Sequence, residues 1–423
     1  MKKKILHILV LPKLAGSQMV ALEILKSLPD ECYEKWVLFS NVKDCGDKTE
    51  CVRRFEQVGV KVVFSDKLKR NIGLKDFSAT VELYRLCKKE KFDIVHTHST
   101  KPGIIGRIAA TLASVPLVVH TVHGLAFHNY VKFPRWQFYW VCEMFASLFC
   151  DKIVLVNQYY KKYFSWFGRK VITIYNGIDF SALPALKDKR EKENISILFV
   201  GRLDIPKDPL TLLRAAKIVI GKYPKTHFTL VGDGEKYDEC EEFIKQVNLR
   251  NNVTLAGWQN NVSDFYQTHD IFALSSIYES FGLIFLEAGY YNLPSVTTNV
   301  EGIPEVIVDN MTGLLCNPRD PETFAANLIY LIEHPEWRTE LGKNAHKRVV
   351  SLYSSEKMVQ AYRKLYQKEY EKYVNHYMTK LINNMFHNVQ NADEQRSYII
   401  YILKKAADLI SIEKIMQYID LTR

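Results

Sequence analysis

No stretch of the 423-residue chain reaches the ~18 unbroken apolar positions that a membrane-spanning helix requires. The basic start Met1-Lys2-Lys3-Lys4 leads into an apolar run too short and too strand-like for a signal peptide. The chain is therefore expected in the cytoplasm, as a peripheral protein on the inner membrane face. Its eight cysteines stand at irregular spacings with no Cys-x-x-Cys pair, which argues against a zinc site or disulfide scaffold and leaves buried, reduced thiols. Acidic residues are missing from Ile94 to Cys142.

That gap belongs to a wider asymmetry. Residues 1–175 carry 28 Lys and Arg against 15 Asp and Glu, residues 176–423 carry 29 against 32, and so the first part holds all of the net +10. Lys101, Arg107, Lys132 and Arg135 sit among aromatics there, which implies an anionic partner. No helix-turn-helix, zinc or RNA-binding signature is present, so nucleic acid is set aside and an anionic membrane surface is the better fit. His128 to Gln137, with Lys132 and Arg135, is expected to touch that surface, while the aromatics from Phe138 onward are expected to form a core helix.

With 47% hydrophobic residues the chain is long enough for two domains, each with its own core. Short apolar runs alternate with helical periods, and many runs end in glycine or histidine: Ile5 to Leu11 before Gly16, Leu117 to Val122 before His123-Gly124, Ile195 to Val200 before Gly201. This is an α/β pattern with parallel sheets, which bind ligands beyond the carboxyl ends of their strands. The expected division is a Rossmann-like domain over 1–175, a linker over 176–194 and a second Rossmann-like domain over 195–355. A helix over 356–374 follows, then a helical tail over 375–423 that either binds a partner or second copy or packs on its own chain. His96 and His98 lack a third ligand at usable spacing, so they read as hydrogen-bonded strand-end histidines, and no metal is expected.

The stretch Tyr278 to Pro294 carries two carboxylates, Glu279 and Glu287, around Ser280-Phe281-Gly282-Leu283. Ser280 is expected to cap a helix whose first amides face an anion, with Gly282 admitting a phosphate. Eight positions at ~100° place the two acids on different faces, toward different parts of one ligand. Taken by itself the segment reads equally as a loop acid and a helix acid on a solvated face. Upstream, Gly201-Arg202-Leu203-Asp204-Ile205-Pro206-Lys207 follows a strand with two cations suited to a diphosphate.

Together with Gly16, DIVHTHSTKPGIIGRIAA from Asp93, HTVHG from His120, YNGID from Tyr175, VGDG from Val231 and GIPEVI from Gly302, these segments resemble the retaining, nucleotide-sugar-dependent glycosyltransferases of family 4. The resemblance spans roughly Ile5 to Tyr370. It implies the GT-B fold, a nucleotide-diphosphate donor such as a UDP-sugar, a lipid-linked or glycan acceptor, and no metal or other cofactor. It also implies that the helix over 356–374 crosses back to the first domain. By resemblance Arg202 and Lys207 hold the diphosphate, Glu279 the donor sugar's hydroxyls, Glu287 the ribose diol, and His123 faces the sugar. Gly16, Gly201, Phe281, Gly282 and Leu283 are expected to line the nucleotide-sugar site, and the loop at Trp258 either edges the nucleotide base there or is an ordinary turn. The usual glycine pair is Ala15-Gly16 here, which weakens the expected contact of that loop with the diphosphate. A nucleotide-sugar epimerase of the same architecture and a non-catalytic sugar-nucleotide-binding subunit are the alternative readings.

Overall fold

The computed structural model describes residues 2–41, 48–68, 75–128, 130–187 and 194–388. The first series of elements is β1 (Lys3–Ile8), α1 (Gly16–Ser27), β2 (Tyr33–Ser40), α2 (Thr49–Gln57), β3 (Val60–Ser65), α3 (Lys75–Glu90), β4 (Ile94–His98), α4 (Thr100–Leu112), β5 (Leu117–Val122), α5 (Arg135–Ser147), β6 (Lys152–Leu155), α6 (Lys161–Phe164) and β7 (Val171–Thr173). The second is β8 (Ser196–Val200), α7 (Pro209–Lys222), β9 (His227–Val231), α8 (Tyr237–Gln246), β10 (Val253–Gly257), α9 (Ser263–Thr268), β11 (Ile271–Leu274), α10 (Leu283–Tyr290), β12 (Ser295–Thr298), α11 (Ile303–Val306), β13 (Gly313–Cys316), α12 (Pro321–Glu333), α13 (Pro335–Leu352) and α14 (Ser355–Asn388).

The strands form a sheet ordered β3-β2-β1-β4-β5-β6-β7 and a second ordered β10-β9-β8-β11-β12-β13. The registered pairs of both are parallel. Strands such as Leu117–Val122 are buried at every position, as parallel sheets covered by helices on both faces require. In each sheet the order reverses beside a central strand, between β1 and β4 and between β8 and β11. Ligands bind at such reversals, where neighbouring loops diverge.

The chain divides into two compact units. One comprises residues 1–121, 142–153 and 360 onward, the other Val122–Val141 and Val154–Val359. In the second, Leu198, Phe199, Leu230, Phe272, Leu274 and Phe285 form the centre of one apolar core. Helix starts there are set locally: Pro209 and Pro321 occupy first-turn positions, and the Asp320 carboxylate accepts from the Thr323 N–H at 2.9 Å.

In the first unit α14 lays tyrosines on the central strands. The Tyr366 hydroxyl meets His96 Nδ1 at 2.6 Å and His7 Nε2 at 3.3 Å, Tyr362 meets the Thr121 hydroxyl at 3.0 Å, and the Tyr370 hydroxyl donates to Asp93 at 2.8 Å. His98 Nε2 lies 3.0 Å from His7 Nδ1, and His96 Nε2 lies 2.7 Å from the Thr121 hydroxyl. His7 is thus a third imidazole beside His96 and His98, close enough that the three could share an ion. Both nitrogens of His7 and of His96 already have protein partners. Burial holds His7 near a pKa of about 3, so the ring is neutral.

Three expectations need correction. Lys101 and Arg107 are not part of a surface field: Lys101 is buried against Asp76 at 2.8 Å, and Arg107, 0% exposed, pairs with Glu143 at 2.8 Å. The acid that neutralises Arg107 is the residue that ends the acid-free stretch. Helix α5 is not a core helix from Phe138 onward, because Phe138, Val141 and Phe145 on it are exposed, as is Leu148 just beyond its end. Among the described cysteines, Cys32 is exposed rather than buried. Residues 188–193 of the expected linker and the tail beyond Asn388 lie outside the described residues, and with the latter most of the segment expected to bind a partner or second copy.

Candidate active site

The carboxyl ends of β8 and β11 meet at the reversal of the second sheet, and the loops leaving them are stitched together. The Ile277 N–H donates to the Pro206 carbonyl at 2.8 Å, and the Ser275 hydroxyl lies 2.7 Å from the Asp208 carbonyl and 3.1 Å from that of Lys207. This lacing brings the Lys207 ammonium onto the Glu279 carboxylate in a tight ion pair. Arg202, at the head of the same loop, is largely exposed and pairs with Asp204 at 2.9 Å.

A cavity of about 200 Å³ opens here, and Arg202, Lys207, Glu279 and His123 all line it. All belong to the second compact unit. His123 arrives on the loop after β5. Burial lowers its pKa to about 4, so it offers a neutral imidazole able to donate from one nitrogen and accept at the other.

The helix after Glu279 starts later than expected. Its N-cap is Gly282 in the left-handed region, φ +76°, with no side-chain cap, and α10 begins at Leu283. Glycine is required there, since a Cβ would meet the Phe285 ring at 2.6 Å and any side chain would be strained at that φ. Ser280 therefore does not cap. Its carbonyl instead accepts from Asn157 Nδ2 at 2.6 Å.

The remaining expected site residues are dispersed. Glu287 sits on α10, lines neither cavity described here, and has its carboxyl pushed up by burial while the Tyr266 hydroxyl draws it partly back. Phe281 is 1% exposed and packs in the core against Tyr175 and Tyr353. Gly201 ends β8 and Leu283 opens α10. Trp258 is 59% exposed, its indole N–H donating to Asn260 at 3.2 Å. Gly16 is the exposed first residue of α1, in the other unit.

Tyr160, Tyr278 and Glu301 are among the other residues that line the cavity. Glu301 is held at φ +42°, uncommon for a residue with a side chain, and its carboxylate accepts from the Tyr160 hydroxyl at 3.0 Å. Its sequence cue was faint, a carboxylate next to the Gly302 motif.

Residues 14–182 match the family described as Glycosyltransferase Family 4, and residues 184–348 match Glycosyl transferases group 1. The Escherichia coli UDP-Gal:alpha-D-GlcNAc-diphosphoundecaprenol alpha-1,3-galactosyltransferase is 34% identical over 387 residues, covering 86% of this chain and 97% of its own. The chain belongs to the group 1, family 4 glycosyltransferases. A second relative of this glycosyltransferase is the capsular polysaccharide biosynthesis glycosyltransferase CapM of Staphylococcus aureus, 27% identical and covering 71% of this chain and 83% of its own. The fold is GT-B. Anabaena Alr3699/HepE in complex with UDP and glucose aligns with a TM-score of 0.72 at 19% identity, over 86% of this chain and 99% of that one. The Thermosynechococcus elongatus sucrose-phosphate synthase aligns with a TM-score of 0.73 at 18% identity, over 88% of this chain and all of that one. Among the described residues of the glycosyltransferase, no helix is long and apolar enough to cross a membrane.

Proposed function

We propose that this glycosyltransferase moves a hexose from a UDP-sugar to a sugar on a lipid diphosphate carrier, with retention at the anomeric carbon. The observation that carries the reading is the convergence of Arg202, Lys207, Glu279 and His123 on one cavity at the β8–β11 reversal. Relatives named for transfer to undecaprenol-linked glycans favour the lipid-linked acceptor.

In this reading the bond from the anomeric carbon to the diphosphate oxygen breaks, its electron pair stays on the departing UDP, and the acceptor oxygen bonds to the same face. The acceptor's proton leaves with the diphosphate. Arg202 and Lys207 stabilise the growing charge on that leaving group, where fixed donors act most strongly. Both cations pair with carboxylates, Asp204 and Glu279, and in this reading they exchange those partners for the diphosphate. Glu279 then turns its acceptor capacity to the donor sugar's hydroxyls, and neutral His123 donates to another. The nucleoside extends toward α10, where Glu287 accepts from the ribose diol. Charge neutralisation by side chains leaves no step that needs a metal, and activity in excess chelator is the expected result.

The same reading places the enzyme against an anionic membrane surface. Support comes from exposed Phe138, Val141 and Phe145 on α5, preceded by Phe133, 79% exposed, between Lys132 and Arg135.

The decisive assay supplies UDP-galactose and an α-GlcNAc-diphosphate lipid, with a panel of other UDP-sugars beside it, and analyses product linkage. Transfer with an α linkage supports the reading, and an inverted product refutes retention. Sedimentation with phosphatidylglycerol vesicles should fall when Lys132 and Arg135 are changed to Glu. Equal sedimentation would remove the membrane part alone.

A further inference from the structure

A second and larger cavity, about 490 Å³, adjoins the first. Tyr130, Tyr159, Tyr278, Pro318, Glu301 and Glu305 are among its walls, and all lie in the second compact unit. Tyr278 and Glu301 line both cavities, so the two meet at these side chains.

Their chemistry differs. The smaller cavity has Arg202 and Lys207 and suits a diphosphate. The larger has two carboxylates and, among the described lining residues, no lysine or arginine. The nearby Arg319 guanidinium is engaged on the Tyr130 ring face at 4.8 Å. Such a wall repels a diphosphate and suits a neutral sugar, whose hydroxyls donate to carboxylates and whose C–H faces lie on tyrosine rings. The size falls in the ordinary range for small-ligand sites.

The two carboxylates are not equally available. Both oxygens of Glu305 accept backbone N–H groups of Gln158 and Tyr159 at 2.8–2.9 Å, so this acid is committed to holding the loop after β6. Glu301 receives the Tyr160 hydroxyl and the Glu279 backbone N–H, leaving about half of a carboxylate's four acceptor positions for a ligand. Its backbone is clamped: the next residue, Gly302, sits so close to the Ser280 carbonyl that a Cβ would meet that oxygen at 1.9 Å, and its N–H donates to the Glu279 carbonyl at 3.2 Å. Left-handed backbone at a residue with a side chain persists where surroundings over-determine it, and such positions cluster at working sites.

We propose that the larger cavity is the subsite for the neutral terminal sugar of the acceptor, and that Glu301 is the positioning residue accepting a hydrogen bond from one of its hydroxyls where the cavities meet. The inference rests on the transferase reading above and adds to it the place and chemistry of the acceptor.

The test uses the full chain, its Glu301→Gly and Glu301→Gln variants, UDP titrated by calorimetry, and acceptor KM and kcat with UDP-galactose and an α-GlcNAc-diphosphate lipid. Glycine relieves the positive φ, so the variant should fold with an unchanged or higher melting temperature. Acceptor KM should rise about tenfold or more in Glu301→Gly and less in Glu301→Gln, which keeps one acceptor oxygen, while UDP affinity stays within about twofold. An unchanged acceptor KM in both variants, or a tenfold loss of UDP affinity, overturns the inference. Wild type that binds UDP but never turns over this lipid counts against the neutral-sugar subsite. Wild type that binds no UDP fails the transferase reading itself.

Discussion

Glu301 should make the protein less stable as pH rises from about 4.5 to about 7, and replacing it with glutamine should abolish that effect. Burial, the largest cause, and the nearby Glu279 charge lift its carboxyl from the ordinary 4.5 to about 7, against the opposing pull of the Tyr160 hydroxyl, the Glu279 backbone N–H and Lys162. The folded chain therefore holds a proton that the unfolded chain has already released between those two values. Where the folded state binds more protons, stability falls as pH climbs. The deficit is absent below about 4.5, grows up to about 7 and is constant above it. At 1.36 kcal/mol per unit, the interval from pH 5 to pH 8 contributes about 2–3 kcal/mol. Glutamine cannot ionise and still accepts from Tyr160. For a unit of this size the variant should gain roughly 5–10 °C in melting temperature over wild type at pH 8, relative to their difference at pH 5. Thermal melts of both proteins at the two pH values measure this double difference, from which other titrating groups cancel. A difference that is the same at both pH values, or a variant less stable at pH 8, would refute the electrostatic account of this residue.

Arg202→Ala should lower turnover by about a hundredfold or more while UDP affinity changes far less, because the guanidinium acts mainly on charge that develops during transfer. Single-turnover kinetics beside UDP calorimetry separate the two. Tyr366→Phe should destabilise the first unit by about 1–3 kcal/mol, since His96 and His7 each lose a hydroxyl partner in a fully buried place. Urea unfolding reads it, and an unchanged midpoint would show that the hydroxyl contributes nothing. His7, with its pKa held down to about 3, should erode stability as pH falls below 6.5, because the unfolded ring takes a proton that the folded ring refuses. His7→Gln should flatten that acid limb. His123, neutral above about pH 4, should add no ionisation to the pH–rate profile between pH 6 and 9, and a limb in that window lost in His123→Gln would contradict its neutral state.

The strands were legible because parallel sheets demand unbroken apolar runs with abrupt ends. Leu117 to Val122 occupies the residues expected of it, and Pro321 to Glu333 is bounded as its proline start suggests. Arg202, Lys207 and Glu279 were readable because each sits on a loop that must leave the carboxyl end of an inner strand. Helix α5 misled because its aromatic density looks like core, and only packing shows that Phe138, Val141 and Phe145 are exposed. His7 escaped notice for another reason: its neighbours lie some ninety positions away, brought near by the β1–β4 pairing rather than by any local spacing. Glu301 was hidden because its interest lies in backbone conformation and shared cavities, neither of which a string of letters displays.

The placement of α14 has a consequence for how the polypeptide is made. His96, Thr121 and Asp93 leave the ribosome long before Tyr366, Tyr362 and Tyr370, which complete their hydrogen bonds. Until those late tyrosines emerge, the early half of the nascent protein carries an imidazole, a threonine and an aspartate without their tyrosine partners. A premature stop anywhere before the codon for Tyr362 would therefore damage the part of the molecule translated first.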